Sequence, residues 1–343
     1  MIDTVLVTGA TGFIGQHLVE ALAQKGSSVT CLVRHTSQIS RLQPLGVSFI
    51  EGDITDERSL PQALAGIDVV FHIAGLLEAR SRSRLYEVNE EGTRNMTQAC
   101  AACRKPPVLV VLSSIEAAGS SPDDAPHTES EPSTPTTTYG KSKLAGEHAA
   151  AEHASEVPIS IVRAPIVFGE WDRQTLNVFK LLRLARFGIH PMPLRRTMRL
   201  SLIHARDLAE FLLLVADRGE RLASPMNVQE DSGQGLYYVA YDENPTFTEL
   251  LQLAGAALGE SQTHVIYIPQ VFLWVLAFPY EAWHRVRGGS PGVINLEKLS
   301  AALAGSWTCS SKKARMQLGF TPSLPLVDRV QQTVDWYQNQ EWL

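Results

Sequence analysis

The stretch Thr8-Gly9-Ala10-Thr11-Gly12-Phe13-Ile14-Gly15 decides the fold, because it carries three glycines between a predicted strand and a predicted helix. Residues 2–7 before it are apolar enough for a short buried strand, and residues 16–24 after it carry apolar side chains at helical spacing. A strand, a glycine turn and a helix together are typical of a site for the pyrophosphate of a dinucleotide. We assign the three glycines, in order, to the tight exit from the strand, to close approach of the phosphates and to packing of the helix on the sheet.

Strands and helices keep alternating after this unit. This alternation predicts an α/β protein of the Rossmann type, with a doubly wound parallel sheet whose strand ends meet at one edge. Beyond residue 169 it weakens, so we predict a dinucleotide-binding domain of residues 1–168 and 201–228. Residues 169–200 and 229–343 are predicted to form a smaller, mixed C-terminal domain that covers the substrate. The further strands are predicted at residues 28–33, 47–51, 68–73, 108–112 and 159–162, and the helices at 57–64, 85–103 and 139–153.

The composition excludes several classes of protein. The 343 residues carry a net charge of −6 with acids and bases interspersed, so we expect no nucleic-acid partner. Cys100 and Cys103 have the spacing of metal ligands, but no second Cys/His pair completes a zinc site, and we predict no metal. Neither a signal-peptide pattern nor an apolar run of about 20 residues is present, so we expect a cytoplasmic protein.

Tyr139-Gly140-Lys141-Ser142-Lys143 is the second informative stretch. Tyr139 and Lys143 are four residues apart and share one helix face, where an ammonium group would lower the pKa of the phenol. Ser114 ends a predicted strand nearby and can hydrogen-bond the same substrate oxygen. A solvated helix start is the alternative interpretation, but the glycine turn upstream favours a catalytic group of Ser114, Tyr139 and Lys143.

Seven short motifs stand at the predicted strand ends and in the neighbouring helices. They are residues 8–15, Gly52-Asp53-Ile54, His72-Ile73-Ala74-Gly75, Val88-Asn89 with Gly92-Thr93 and Asn95, Ser113-Ser114, Tyr139-Gly140-Lys141-Ser142-Lys143 and Arg163-Ala164-Pro165. Together they resemble the extended short-chain dehydrogenases/reductases of the NAD-dependent epimerase/dehydratase family, over about half of the chain. Residues 113–119 are similar to the branch that holds the 3β-hydroxysteroid dehydrogenases and the dihydroflavonol reductases.

The resemblance implies that Ser114, Tyr139 and Lys143 are catalytic. It also implies that Asp53 and Ile54 flank the adenine of the cofactor. The residues predicted to bind the cofactor are Gly9, Thr11, Gly12, Phe13, Ile14, Gly15, Arg34, Asp53, Ile54, Ala74, Gly75, Asn89, Lys143 and Pro165. For His72 we favour ordering of a strand end over proton transfer, and for Glu116 we do not adopt the role of a dehydratase acid.

The second predicted strand ends in Leu32-Val33-Arg34-His35-Thr36-Ser37, with no acid before Glu51. Folds that are specific for NAD place an acid here to hold the 2′-hydroxyl of the ribose. The guanidinium of Arg34 can instead fork onto a 2′-phosphate. We therefore predict NADP(H) as the cofactor in preference to NAD.

Three functions remain open at this point: a reductase or dehydrogenase, a nucleotide-sugar epimerase or dehydratase with tightly bound NAD(P), and a non-catalytic dinucleotide sensor. The Ser-Tyr-Lys set argues against the sensor. A cluster of apolar residues favours a bulky, apolar small-molecule substrate, whereas three arginines would suit a diphosphate. The apolar set is Phe168, Trp171, Phe179 and the run 271–279, and the arginines are Arg195, Arg196 and Arg199. The run 271–279 leaves a contact with a membrane surface open, and a homodimer is open as well.

Overall fold

The protein is built around a parallel sheet, seen in a computed structural model that describes residues 2–79, 81–184, 189–192, 196–223, 233–259, 264–267 and 305–343. The strands are β1 (Thr4–Thr8), β2 (Ser28–Val33), β3 (Ser48–Glu51), β4 (Val69–His72), β5 (Val108–Ser114), β6 (Ile159–Ala164), β7 (Ile166–Phe168), β8 (Ile189–Met192), β9 (Leu202–His204), β10 (Leu236–Tyr238) and β11 (His264–Tyr267). In the described ranges the main sheet has seven strands in the order β3-β2-β1-β4-β5-β6-β10, all parallel. Strands β7 and β9 form a separate pair, as do β8 and β11.

Helices cover both faces of this sheet. They are α1 (Phe13–Gln24), α2 (Leu60–Ala63), α3 (Arg82–Tyr86), α4 (Gly92–Ala101), α5 (Thr138–Ala151), α6 (Arg173–Leu184), α7 (Ala205–Arg218), α8 (Phe247–Ala257), α9 (Lys312–Leu318) and α10 (Leu326–Asn339). A π-helical turn, Glu87–Glu91, joins α3 to α4. None of the described helices is both long and apolar enough to cross a membrane.

Two hydrophobic cores lie on opposite faces of the sheet, as a doubly wound fold requires. Val5 and Val7 of β1 pack in one core with side chains of α1 and α7. Leu6, the residue between them, packs in the other core with side chains of α4 and α5. Successive side chains of a strand point to opposite faces, so a strand covered on both sides has a continuous apolar sequence. The predicted Rossmann-type sheet is confirmed.

Three of the differences from the predicted boundaries concern the glycine turn, the end of β5 and the edge of the main sheet. Helix α1 begins at Phe13, three residues early. Strand β5 extends through Ser113 and Ser114, which pair in register with Arg163 and Ala164 of β6. Strand β10 lies in the main sheet although its residues were predicted to belong to the second domain, because Leu236, Tyr237 and Tyr238 are buried against the edge of β6. The apolar run 271–279 and Arg195 lie outside the described residues.

Candidate active site

The glycine turn between β1 and α1 packs closely against the residues that follow β4. Gly9 has a φ of +70°, and a Cβ on it would lie 2.6 Å from the amide nitrogen of Ala74. A Cβ on Gly15 would lie 2.2 Å from the carbonyl oxygen of Gly9, so α1 starts in contact with the turn. Gly12 precedes α1 without a side-chain cap, which leaves the first N–H groups of the helix to an anion. This arrangement fits the pyrophosphate of a dinucleotide.

Two arginines follow β2 along the chain. Arg34 is exposed, and its backbone makes a tight turn with Ser37, whose N–H group donates to the Arg34 carbonyl over 2.8 Å. Arg41 stacks on the indole of Trp171 at 3.5 Å and donates over 3.2 Å to Gln16 Oε1. The amide of Gln16 in turn donates over 2.8 Å to the carbonyl of Thr11 within the glycine turn. Arg41 is therefore a second cation beside this turn, and its contact across 130 residues left no signal in the sequence.

The motif after β3 is held by local hydrogen bonds. Asp53 Oδ1 accepts from both the N–H and the hydroxyl group of Thr55, each over 2.9 Å. Ile54 is buried, and a Cβ on Gly92 would lie 2.7 Å from its Cδ1. Asp53 thus orders the turn and Ile54 anchors it on α4. Their placement beside the adenine stays a prediction.

His72, at the end of β4, orders the strand end as predicted. The hydroxyl group of Thr93 donates over 2.8 Å to the carbonyl of Asn89, so it accepts from His72 Nε2 at 3.2 Å. His72 Nδ1 then accepts from the hydroxyl group of Thr8 over 3.0 Å. Burial, together with the charge of Lys143, lowers the pKa of His72 to about 3. The imidazole is therefore neutral and ties β1, β4 and α4 together.

Asn89 lies in the π-helical turn and fixes the loop that carries Ala74 and Gly75. Its Oδ1 accepts from the N–H group of Leu76 over 2.8 Å, and its Nδ2 donates to the Leu76 carbonyl and to the hydroxyl of Ser142, each over 2.9 Å. The amide is thereby engaged within the protein and links the loop to α5. Its predicted contact with the cofactor stays a prediction.

Ser114, Tyr139 and Lys143 come together at the carboxyl end of β5. The hydroxyl group of Ser114 is hydrogen-bonded to the Tyr139 phenol and also accepts from the N–H group of Glu116 over 3.2 Å. Lys143 lies one turn further along α5, where it is only 7% exposed and Nζ donates to the Leu112 carbonyl over 2.8 Å. A Cβ on Gly75 would lie 3.7 Å from the same Nζ, so the lysine borders the β4 loop.

The pKa of Tyr139 is raised, contrary to our expectation. Burial and the negative charge of Glu116 raise it, and only the hydrogen bond from Ser114 acts the other way. Burial also lowers the pKa of Lys143 to about 8, against the opposite effect of Glu147. The phenol is therefore protonated at neutral pH and available as a proton donor. The four-residue spacing reveals the nearby lysine, whereas the effect of Glu116 on the phenol is seen only in the folded structure.

Helix α5 lies very close to its neighbours because two of its residues are glycines. A Cβ on Gly140 would lie 2.2 Å from the carbonyl oxygen of Glu116, and one on Gly146 would lie 2.2 Å from that of Asn89. Thr137 caps the helix by accepting from the N–H group of Gly140 over 2.9 Å, and its hydroxyl group donates to Glu116 Oε2 over 2.6 Å. These contacts set the position of Tyr139 relative to Ser114. The packing role of the two glycines was not predicted, although both stand out in the sequence as small residues in a predicted helix.

Some of the residues predicted to bind the substrate lie in the core, and other side chains form the exposed apolar surface at the strand ends. Phe168 and Phe179 are core residues, 3% and 4% exposed, so their assignment to a pocket is wrong. The apolar surface at the strand ends belongs instead to Leu77 and Ile166, which are 54% and 40% exposed. These two follow β4 and β6, the strands on either side of β5. Buried Pro165 joins β6 to Ile166.

Both of the described arginines of residues 195–199 contact other groups of the protein. Arg196 lies over the ring of Tyr267 at 5.1 Å, and Arg199 Nη1 donates to the Asn244 carbonyl over 3.0 Å. Aromatic contacts also involve two further predicted residues. Phe13 meets the ring of His17 edge-on at 5.6 Å, and Trp171 meets Trp336 at 4.3 Å.

Comparison with known proteins agrees with this geometry. Residues 5–228 match the sequence model of the NAD dependent epimerase/dehydratase family. The chain is 32% identical over 339 residues to a ceramide reductase of Caulobacter vibrioides, covering 99% of this chain and 96% of that protein. It is 26% identical to human 3 beta-hydroxysteroid dehydrogenase type 7, covering 97% and 95% of the two chains. The structure of Thermus thermophilus UDP-glucose 4-epimerase with NAD superposes with a TM-score of 0.72 at 23% identity, covering 97% and 98%, and shows the fold alone.

Proposed function

Because the chain belongs to the NAD-dependent epimerase/dehydratase family, we propose that it reduces a bulky, largely apolar ketone, or oxidises the corresponding alcohol, with NADP(H). Within that family, the chain is an NAD(P)-dependent oxidoreductase of the extended short-chain dehydrogenase/reductase type. Ser114, Tyr139 and Lys143 are the proposed catalytic residues. The observation that carries the proposal is the phenol of Tyr139, held by Ser114 at the end of β5 with Lys143 one helical turn behind it.

In the direction of reduction, the Tyr139 phenol donates its proton to the carbonyl oxygen, and the Ser114 hydroxyl group hydrogen-bonds the same oxygen as negative charge develops on it. The cofactor, held by the glycine turn after β1, would supply the hydride for the carbonyl carbon. The raised pKa of Tyr139 keeps the proton on the phenol until the substrate oxygen takes it. The ammonium group of Lys143 then stabilises the phenolate that remains, and a proton from solvent restores the phenol.

An apolar substrate is supported by the exposed side chains beside this group. Leu77 and Ile166 are exposed apolar side chains after β4 and β6, the two strands next to β5, whereas Arg199 is engaged with the Asn244 carbonyl. A binding site of this kind is mostly apolar, with a few convergent polar groups. The names of the relatives, a ceramide reductase and a 3 beta-hydroxysteroid dehydrogenase, also support a lipid-like substrate.

NADP(H) is supported by the loop after β2. Arg34 is exposed there beside Thr36 and Ser37, and no acid follows until Glu51 at the end of β3. A guanidinium and two hydroxyl groups suit the 2′-phosphate that distinguishes NADP from NAD.

The test is an NADPH-oxidation screen with steroid, flavonoid, aromatic and long-chain N-acyl ketones against UDP- and dTDP-sugars. We expect NADPH to be consumed stoichiometrically with one or more of the apolar ketones. Thermal shift provides a second measurement, since a ligand at 100 times its Kd stabilises the folded state by ~2.7 kcal/mol. If only nucleotide sugars raise the melting temperature and no net NADPH is consumed, the chain is an epimerase or dehydratase and the proposal fails.

A further inference from the structure

A buried ion pair lies behind the proposed catalytic residues. Glu147 of α5 and Arg163 of β6 are 2% and 1% exposed. Arg163 donates from Nη2 to Glu147 Oε2 over 2.6 Å and from Nε to Oε1 over 2.9 Å. Ion pairs buried this deeply contribute little net stability compared with apolar residues, because both charges lose their hydration. The pair therefore calls for an explanation other than stability.

Three further side chains bind the polar groups of this pair, each from a different part of the chain. The hydroxyl group of Ser113 on β5 donates to Glu147 Oε1 over 2.5 Å. Arg163 Nη1 donates to the hydroxyl oxygen of Tyr238 on β10 over 3.0 Å, and Nη2 donates to Ser133 Oγ over 2.7 Å. These contacts fix the carboxylate of Glu147 relative to Ser113, the residue of β5 that precedes Ser114.

Tyr139, Lys143 and Glu147 follow one another at four-residue intervals along α5, so they share one face of the helix. Within the described residues, the other titratable or charged groups around this face include His72 on β4, Glu116 after β5, Arg163 on β6 and Tyr238 on β10. His72 is neutral, Arg163 is paired with Glu147, and Glu116 acts on Tyr139. Glu147 is the carboxylate that raises the pKa of Lys143 against the effect of burial.

We propose that Glu147 is a positioning residue of the active site, whose carboxylate, fixed by Arg163 and Ser113, holds α5 against the end of β5 and places a negative charge one helical turn from the Lys143 ammonium group. Without this charge, a lysine that is 7% exposed would lose its proton near neutral pH and could no longer stabilise the phenolate. The inference rests on the proposed role of Lys143. It extends that role to a residue that touches neither substrate nor cofactor.

The test compares Glu147→Gln with Glu152→Gln, a matched change at the C-terminal cap of the same helix. Glu152 is 51% exposed and pairs with Arg94 at the surface. Competitive acetylation of lysines over a range of pH, followed by mass spectrometry of the peptide with Lys143, gives the titration midpoint of Lys143 without any substrate. We expect the midpoint, near 8 in the native chain, to fall by roughly one pH unit in Glu147→Gln, because a unit charge one helical turn away is removed. Glu152→Gln is expected to leave it unchanged.

Two further variants control for loss of a hydrogen bond alone and for failure of Glu147→Gln to fold. Ser113→Ala removes a hydrogen bond but keeps the carboxylate, so it should not move the midpoint. If Glu147→Gln does not fold because Arg163 is left buried and unpaired, the double variant Glu147→Gln/Arg163→Met removes both charges and should still shift the midpoint downward, by less than the single change because the positive charge of Arg163 is lost as well.

Activity over the same pH range completes the test. The pH limb of kcat in Glu147→Gln should move with the acetylation midpoint, giving about a threefold loss midway between the two midpoints and nearly a tenfold loss above about pH 9. A loss of activity without any shift of the midpoint would make Glu147 a purely structural residue and overturn the inference. A shifted midpoint in an enzyme that reduces none of the ketones would overturn the proposed function and leave the inference standing.

Discussion

The two ends of the proposed cofactor cleft are built differently. At the catalytic end, Lys143 is buried, and Gly140 leaves no room between α5 and the turn after β5. At the adenosine end, Arg34 and Thr36 are exposed on a loop that a short turn with Ser37 holds. The catalytic end is fixed by contacts from several elements, so small displacements there should abolish activity. Substitutions at the exposed end should disturb the fold little, and they should alter the choice of cofactor.

The largest effect is expected at the catalytic end, from Tyr139→Phe. Loss of the phenolic proton removes the general acid, which typically contributes ~10²–10⁴-fold to the rate. The ring that packs beside Ser114 is kept, so calorimetric binding of NADPH should not change. Steady-state reduction of an accepted ketone measures the loss, and full activity in this variant would remove Tyr139 from the mechanism.

Gly140→Ala should give the next largest effect, although it changes no chemical group. Its Cβ would lie 2.2 Å from the Glu116 carbonyl oxygen, so either α5 or the turn after β5 must move. A displacement of about 1 Å in a catalytic site can cost ~10²-fold in rate. We expect kcat to fall by that order. Lys141→Ala, an exposed position on the same turn, is the control and should retain kcat; equal activity in both variants would show that the close contact is dispensable.

The sequence predicted what depends on local spacing. Tyr139 and Lys143 are four residues apart, and the glycine turn follows its strand directly, so both could be placed before any tertiary contact was known. Leu77 and Ile166 could not be distinguished in this way from Phe168 and Phe179, because apolar residues fill cores and pockets alike. The pairing of Glu147 with Arg163 and the stacking of Arg41 on Trp171 join separate parts of the chain, and only the folded structure reveals them.

Arg34→Ala should change the choice of cofactor without changing the chemistry. A charge-assisted hydrogen bond contributes about 1.5–3 kcal/mol, so losing the contact with the 2′-phosphate should weaken NADPH binding by roughly 10-fold to 100-fold. Binding of NADH, which lacks this phosphate, should stay the same. Calorimetric titration with both cofactors measures the ratio. An unchanged preference would show that Arg34 is merely an exposed arginine.

Arg41→Ala should have the smallest effect and a different signature. Arg41 reaches the glycine turn through Gln16 and lies on Trp171, so it stands near the phosphates that NADPH and NADH share. An ion pair at an exposed site contributes about 0.2–1 kcal/mol, so losing this cation beside the phosphates should weaken binding by at most roughly 5-fold. Both cofactors should weaken together, and Arg41→Lys should lose nearly as much because an ammonium group stacks less well on an indole. If Arg41→Ala instead weakens NADPH alone, recognition of the 2′-phosphate is shared between two arginines, and the exposed end of the cleft is more tightly specified than its single local turn indicates.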